Sequence, residues 1–217
     1  MDLTGILIVL GVILVSMVLH ELAHGVVAYW LGDDTAKEDG RLTLNPLKHL
    51  DPVMSVAVPL LLFIAGGPVF GGAKPVPINT RNLKGGAWGM ALVAVAGPLT
   101  NFILAFGGFV IAHIVGAFEV VNGGIYVHDL AGQIFGQFVM VNIGFGIFNM
   151  LPIPPLDGSR VVYALAPDGV RRVMDVMERY GMIVVLILVM FGGTLLSKIM
   201  IGGMNGVLSF FTWIVGG

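Results

Sequence analysis

The sequence contains no cysteine and few charged side chains. The absence of cysteine excludes disulfide bonds and metal sites that use thiolate ligands. Only 11% of the 217 residues are charged and 57% are hydrophobic, whereas soluble domains have about 25% charged residues. The net charge of −2 offers no cationic surface for nucleic acid. The composition therefore predicts an integral membrane protein that is embedded in the lipid bilayer and has no nucleic acid partner.

Up to six apolar segments are visible along the chain, and they differ in length. They cover approximately residues 3–31, 52–67, 86–118, 130–151, 181–200 and 207–215. A helix that crosses the membrane without tilt needs about 20 apolar residues, so the second and the last segment are short for a crossing. This pattern predicts an all-α polytopic membrane protein, a helical bundle of about four to six transmembrane helices.

The distribution of positive charge predicts the orientation of the chain. The segments 32–51, 68–85 and 152–180 all carry Lys or Arg, while the segment 119–129 has none. Positive residues accumulate on the cytoplasmic side of membrane proteins. If the apolar segment 52–67 crossed the membrane, the first two positive segments would face opposite sides. We therefore expect 52–67 to be re-entrant or to lie at the surface, with the N-terminus outside and all three positive segments in the cytoplasm.

Two short patterns lie between the apolar segments. Residues Gly40–Leu44 alternate in polarity and precede the breaker Asn45-Pro46, which predicts a short strand and hence a small β element at the cytoplasmic face. Residues 170–180 place their apolar side chains on one side and their arginines elsewhere, a pattern typical of an amphipathic helix at the membrane surface.

The first apolar segment contains the motif His20-Glu21-Leu22-Ala23-His24. Imidazoles at positions i and i+4 lie on the same face of a helix and can bind one metal ion together. Glu21 lies beside them, where a carboxylate can take a proton from a water molecule. Because polar side chains are costly inside a membrane, such a cluster indicates a functional site.

Catalytic zinc usually has three protein ligands, so a third ligand is needed besides His20 and His24. Several candidates follow the first apolar segment: Asp33, Asp34, Glu38, Asp39 and His49. Asp157 is a better candidate, because it follows the fourth apolar segment on the same predicted side of the membrane. The prolines before it stop the helix, and an extended chain could turn back towards the histidines.

These motifs together resemble a known family. The His20-Glu21-x-x-His24 motif, combined with Asn149-x-x-Pro152 and Leu156-Asp157-Gly158, is similar to the motifs of the site-2 protease family of intramembrane zinc metalloproteases. Gly97-Pro98-Leu99-Thr100-Asn101 resembles the third motif of that family. The resemblance covers residues 10–165 approximately, and the remaining helices lie in about 168–217. We expect one intramembrane metalloprotease domain over 1–217, a minimal member without a PDZ or CBS domain.

The resemblance implies a cofactor, a reaction and roles for individual residues. It implies one Zn²⁺ per chain held by His20, His24 and Asp157, with Glu21 as the catalytic base. It assigns Asn149 and Asn101 to substrate binding. The implied reaction is hydrolysis of a peptide bond within or near the transmembrane segment of a single-pass membrane protein, such as an anti-sigma factor or a remnant signal peptide. The implied location is the cell membrane, with the active site nearer the cytoplasmic face.

Other functions are compatible with parts of this pattern. A different membrane zincin would take its third ligand from another helix, so Asp157 would be dispensable. A metal transporter would carry polar residues at different depths along several helices. A catalytically inactive relative could bind substrates without cleaving them. We expect Asn142, in the fourth apolar segment, to form an interhelical hydrogen bond rather than to act in catalysis.

Overall fold

The computed structural model describes residues 3–57, 72–121 and 124–216. Within these ranges the α-helices are α1 (Leu3–Trp30), α2 (Thr35–Glu38), α3 (Ala87–Val115), α4 (Leu130–Asn149), α5 (Gly158–Leu165), α6 (Asp168–Arg179), α7 (Gly181–Phe191) and α8 (Gly193–Val215). Strands β1 (Phe118–Val121) and β2 (Gly124–Val127) form an antiparallel pair. A 3₁₀-helix covers Pro46–Lys48, and a π-helix covers Pro52–Ala57.

Four of the described helices are long and apolar enough to cross a membrane. By length and composition these are α1, α3, α4 and α8, with 28, 29, 20 and 23 residues. Helix α7 is apolar but has only 11 residues, which is short for a crossing. The predicted class, a polytopic helical membrane protein, is confirmed.

Helices α1, α3 and α4 form the centre of the molecule, because α3 packs against both of the others and α1 also contacts α4. Close approach depends on glycine. A Cβ atom on Gly108 would lie 2.8 Å from Cδ1 of Phe138, and one on Gly146 would lie 2.7 Å from Cζ of Phe102. Small residues of this kind allow membrane helices to pack closely. Helix α8 packs on α4, and Leu208 of α8 is fully buried there.

The ends of the central helices follow from local chemistry. Helix α3 ends at Gly116, whose φ of 66° is in the left-handed region that favours glycine at helix ends. Helix α4 begins after Asp129, whose carboxylate accepts a hydrogen bond of 2.7 Å from the backbone N–H of Gly132. The hairpin of β1 and β2 connects these two ends.

The position predicted for the β element was wrong. Gly40–Leu44 forms bends and not a strand. Its backbone is shaped by Arg41, which is buried and donates hydrogen bonds to the carbonyl oxygens of Lys74 at 2.7 Å and Pro75 at 3.3 Å. The described strands lie instead in 118–127, the connection that the charge pattern places outside.

The division of the C-terminal apolar sequence was also wrong. We expected segments 181–200 and 207–215, but the helix is interrupted at Gly192 and α8 continues without a break from Gly193 to Val215. The amphipathic helix predicted over 170–180 is present as α6. The segment 52–67 begins with the π-helix, and its continuation after Ala57 lies outside the described residues, so a re-entrant path stays a prediction.

Candidate metal centre

Helix α1 carries His20 and His24 one turn apart on the face that is turned into the protein. Both side chains are buried, and their Nε2 atoms lie 3.0 Å apart. The spacing of four residues is sufficient for this, since positions i and i+4 of a helix share a face. The two imidazoles therefore present the same ring nitrogen to the same point.

A tight turn after α4 brings Asp157 to that point. The Oδ2 atom of Asp157 lies 3.2 Å from Nε2 of His20 and 3.4 Å from Nε2 of His24. The next residue must be glycine for this approach, because a Cβ atom on Gly158 would lie 2.2 Å from the carbonyl oxygen of Met150. The peptide bond between Pro154 and Pro155 in this turn is cis.

The arrangement of these three side chains favours binding of a cation over hydrogen bonding among the three. Their candidate ligand atoms all lie within 4.8 Å of one another. Oδ2 of Asp157 is buried and has no hydrogen-bond partner among the described residues, and burial of an unpaired carboxylate oxygen is costly. Two imidazoles and one carboxylate form a donor set that is typical of catalytic zinc sites, which keep a further position open. The residues therefore fit zinc.

Gly97 of α3 forms the wall opposite the histidines. A Cβ atom at Gly97 would lie 2.4 Å from Nε2 of His24 and 2.6 Å from Nε2 of His20. Any larger residue would displace both imidazoles from the point where they meet. Gly97 thus leaves room at this point for both rings.

The outer nitrogen of each imidazole is held by an oxygen atom. Nδ1 of His24 lies 2.7 Å from the carbonyl oxygen of Val93, and Nδ1 of His20 lies 2.5 Å from Oδ1 of Asn101. Carbonyl and amide oxygens only accept hydrogen bonds, so each Nδ1 donates and carries the proton. Each Nε2 then keeps its lone pair, which is the form that binds a metal ion.

The predicted role of Asn101 in substrate binding does not fit its position. Asn101 is fully buried, with Oδ1 towards His20 and Nδ2 donating to Oδ1 of Asn142 at 2.9 Å. Its polar atoms are therefore occupied by protein groups. Asn142 in turn donates to Oγ of Ser16 at 2.9 Å and to the carbonyl oxygen of Phe138 at 2.8 Å. This agrees with the interhelical bond expected for Asn142.

Glu21 is on the same helix but takes a different partner. Its Oε2 atom accepts a hydrogen bond of 2.9 Å from the backbone N–H of Val76, in a segment without regular secondary structure. This segment lies close to α1 because Gly25 has no side chain: a Cβ atom there would lie 3.2 Å from Cγ1 of Val76. The contact orients the Glu21 carboxylate, which is half-buried.

The other residues considered from the sequence lie elsewhere. Asp33 is buried and accepts hydrogen bonds from Thr35 and from the backbone N–H of Asn79 at 2.6 Å. His49 contacts the carbonyl oxygen of Thr43 at 2.9 Å. Across residues 3–57, 72–121 and 124–216, His20, His24 and Asp157 are the one group of three that could hold a metal ion. Asn149 is half-buried at the end of α4, and its Nδ2 donates to Phe145.

The described site contains contacts to the histidines that the sequence did not lead us to predict. Val93, Gly97 and Asn101 all contact the histidines, and they are spaced four residues apart on α3. That spacing was a usable signal, because residues at i, i+4 and i+8 lie near one face of a helix. Nothing in the sequence identified Phe138, since it contributes a backbone oxygen.

Comparison with known proteins identifies the family of the chain. The model of peptidase family M50 matches residues 60–192, a range that includes Asp157 but not the two histidines. The protein named "Putative zinc metalloprotease YwhC" of Bacillus subtilis is 42% identical over 204 residues, which are 93% of this chain and 90% of the relative. The chain belongs to peptidase family M50.

More distant M50 relatives are longer than this chain. The protein named "Putative zinc metalloprotease Rip2" of Mycolicibacterium smegmatis is 30% identical over 81% of this chain, which is 63% of that relative. The similarly named Rip3 of Mycobacterium tuberculosis is 27% identical over 94% of this chain and 42% of its own length. No solved structure matches the chain significantly.

Membership of M50, the site-2 protease family, confirms two predictions from the sequence. The protein is a metalloprotease, and its cofactor is zinc. Together with the four candidate membrane-spanning helices, membership also makes it a multi-pass membrane protein.

Proposed function

We propose that this M50 protein is an intramembrane zinc metalloprotease that hydrolyses a peptide bond within or near the transmembrane segment of a membrane protein. The observation that carries the proposal is the convergence of His20, His24 and Asp157 from two distant parts of the chain. The substrates we expect are single-pass proteins, such as anti-sigma factors or remnant signal peptides.

The depth of the site supports cleavage inside the membrane. His24 precedes the last residue of α1, Trp30, by six residues, which corresponds to about 9 Å along the helix. The neighbouring helices α3 and α4 are also candidate membrane spans. A substrate bond that reaches the site would therefore have to lie below the end of α1.

In the proposed mechanism His20, His24 and Asp157 hold zinc, and Glu21 moves the proton. When bound, zinc acts as a Lewis acid that makes a water molecule acidic and polarises the carbonyl group of the scissile bond. The Glu21 carboxylate takes a proton from the attacking water and passes it to the leaving amine. Val76 keeps the Glu21 carboxylate oriented through its backbone N–H. Asn149 is proposed to position the substrate.

Transport of a metal ion is less well supported. A transport path needs polar groups at several depths along the helices. The buried polar side chains of α1, α3 and α4 instead surround one point, since Ser16, Asn101 and Asn142 are linked by hydrogen bonds behind His20. We propose that residues 1–217 form one protease domain.

The test is cleavage of a single-pass model substrate by purified protein in liposomes, with mass spectrometry to locate the cleaved bond. We expect wild-type protein to cut within or near the transmembrane segment. Glu21→Gln should lower the rate by at least about 100-fold with zinc content unchanged. Glu38→Gln is the matched control, because Glu38 is exposed. Wild-type rates in Glu21→Gln would contradict the assignment of the base.

The proposed orientation can be tested directly because the chain contains no cysteine. Single cysteines placed at Thr4, His128 and Lys84 can be labelled in intact cells with a reagent that does not cross the membrane. We expect labelling of Thr4→Cys and His128→Cys but not of Lys84→Cys. The reverse pattern would place the N-terminus in the cytoplasm.

A further inference from the structure

We infer that Asn142 and the backbone carbonyl of Phe138, acting through Asn101, determine which ring nitrogen of His20 carries the proton. Asn101 and Asn142 are thereby positioning residues of the metal site. The inference rests on the proposed function, because it assumes that Nε2 of His20 binds zinc. It concerns Asn101 and Asn142, whose side-chain polar atoms contact other groups of the protein.

The backbone carbonyl of Phe138 sets the direction of the hydrogen bonds. A backbone carbonyl oxygen can only accept, so the atom of Asn142 that lies 2.8 Å from it must be the amide nitrogen Nδ2. This fixes which way the amide group of Asn142 points. Its oxygen, Oδ1, is consequently the atom that faces Asn101.

The orientation of the Asn142 amide determines that of Asn101, and Asn101 in turn determines the position of the proton on His20. Because Asn142 presents an oxygen, Asn101 must present its own nitrogen, Nδ2, at 2.9 Å. Oδ1 of Asn101 is left to face Nδ1 of His20 at 2.5 Å. An oxygen there requires a proton on Nδ1, and Nε2 is then free to bind a metal ion. A flipped Asn101 would place two oxygens against each other at Asn142.

Ser16 has a different place in this network. Its Oγ lies 2.9 Å from Nδ2 of Asn142, but a hydroxyl group can either donate or accept. Ser16 therefore does not define the direction of the Asn142 amide, which Phe138 already defines. Loss of the Ser16 hydroxyl should leave the His20 ring unchanged, whereas loss of the Asn142 amide should not.

His24 provides an internal control. Its Nδ1 is held by the backbone oxygen of Val93 at 2.7 Å, which no side-chain substitution removes. Changes at Asn101 or Asn142 should therefore alter His20 and leave His24 as it is. A general loss of structure would affect both rings.

The first test is ¹⁵N NMR of zinc-free protein with labelled histidine, in detergent at a pH where both rings are neutral. Wild-type protein should show His20 and His24 protonated at Nδ1 only. Asn101→Ala and Asn142→Leu should give a mixture of both forms at His20 alone, and Ser16→Ala should look like wild type. Protonation of His20 at Nε2 in the wild type would overturn the inference without any variant.

The second test is zinc affinity measured by competition with a chelator. Loss of an outer contact to a ligating histidine typically lowers metal affinity by about 10–100-fold, so we expect this loss for Asn101→Ala and a smaller one for Asn142→Leu. Ser16→Ala and Asn205→Ala, a change at an exposed position of α8, should bind zinc as wild type does. Equal affinity in all variants would overturn the inference, whereas no zinc in wild-type protein would overturn the proposed function instead.

Discussion

The junction of α1, α3 and α4 and the C-terminal helix α8 contain the same kinds of residue in different surroundings. At the junction, Asn101 and Asn142 are fully buried and bonded to other side chains. On α8, Lys198 and Asn205 are exposed on the outer surface of the protein. The glycines differ in the same way: a Cβ atom on Gly97 would lie 2.4–2.6 Å from two imidazoles, whereas one on Gly202 would meet no described atom within 4 Å.

This difference shows that residue type alone does not mark a site in an apolar helix. A polar or small residue acquires a role when a neighbouring helix approaches it. At the junction three long helices meet, so their polar residues are enclosed and must satisfy one another. Among the described residues, helix α8 contacts mainly α4, so most of its surface touches no other part of the described chain. If only the junction serves the metal, zinc binding should depend on substitutions there and not on substitutions in α8.

The largest effect is expected at the third proposed ligand. Asp157→Ala should reduce zinc from about one ion per chain to a small fraction of that, because two ligands from one helix leave the site incomplete. Elemental analysis of detergent-purified protein measures this. Asp168→Ala is the control, since the Asp168 side chain is 87% exposed at the start of α6. Equal zinc in both variants would remove Asp157 from the site.

Adding one methyl group should affect zinc binding differently at two glycines of α3. Gly97→Ala places Cβ 2.4–2.6 Å from Nε2 of both proposed ligands, His24 and His20, so zinc affinity should fall by about 100-fold or more, beyond a typical outer contact. Gly107→Ala, on the same helix with nothing within 4 Å, should bind zinc normally. Gly202→Ala extends the control to α8. The measurement is chelator competition, and normal affinity in Gly97→Ala would contradict the described packing.

A core substitution on α8 should lower stability without affecting the metal. Phe211 is buried against Phe106 and Phe109, with ring centroids 5.0 and 5.6 Å away. Phe211→Ala should reduce the free energy of unfolding by about 3 kcal/mol, measured by denaturant titration in detergent, and leave zinc affinity unchanged in the folded protein. Phe210→Ala, at the exposed neighbour, should cost less. Loss of zinc in folded Phe211→Ala would link the two regions.

The smallest effect concerns Asp33, which lies outside both regions. Burial raises the pKa of Asp33, but hydrogen bonds from Thr35, Asn79 and Asn82 outweigh it and hold the pKa below its ordinary value of 3.8. The carboxylate therefore contributes stability above pH 3.8, and this contribution is lost as the pH falls through the lower folded-state pKa. Asp33→Ala should cost about 2 kcal/mol at neutral pH.

The pH dependence provides the check on Asp33. Thermal unfolding in detergent should show a difference between wild type and Asp33→Ala that is constant near neutral pH and shrinks in acid below about pH 3.8. Asp34→Ala is the matched control, because Asp34 is exposed. A difference that grows in acid would show that the folded-state pKa is raised instead.

Much of this arrangement could be predicted because its signals are local. The histidine spacing fixes one face of α1, and the prolines before Asp157 account for the turn that brings the carboxylate back. The hairpin was missed although Asn122-Gly123 between alternating residues is a strong turn signal. The alternation at Gly40–Leu44 led to the wrong prediction of a strand because it is short. In addition, Arg41 donates a hydrogen bond to the backbone of Lys74, which is distant in sequence.

Other features depend on contacts that no sequence pattern reports. The contacts of Asn101 could not be predicted because a motif does not say which neighbour its side chain meets. Helix α8 was divided because Lys198, Gly202 and Asn205 lower the apolar character of the segment, although glycine is common in membrane helices and does not end them. For Asn101, the neighbouring helices decide the outcome.

The turn that carries Asp157 also has a consequence for biosynthesis. The two histidines enter the membrane with the first helix, but the carboxylate is 133 positions behind His24 in the chain, beyond α4. While the ribosome is still translating that stretch, the nascent chain has a base and two imidazoles but no complete metal site. Under the proposed assignment, proteolytic competence begins only when the last part of the site has been inserted. Under the same assignment, the new chain cannot cleave neighbouring proteins before α1, α3 and α4 have all been made.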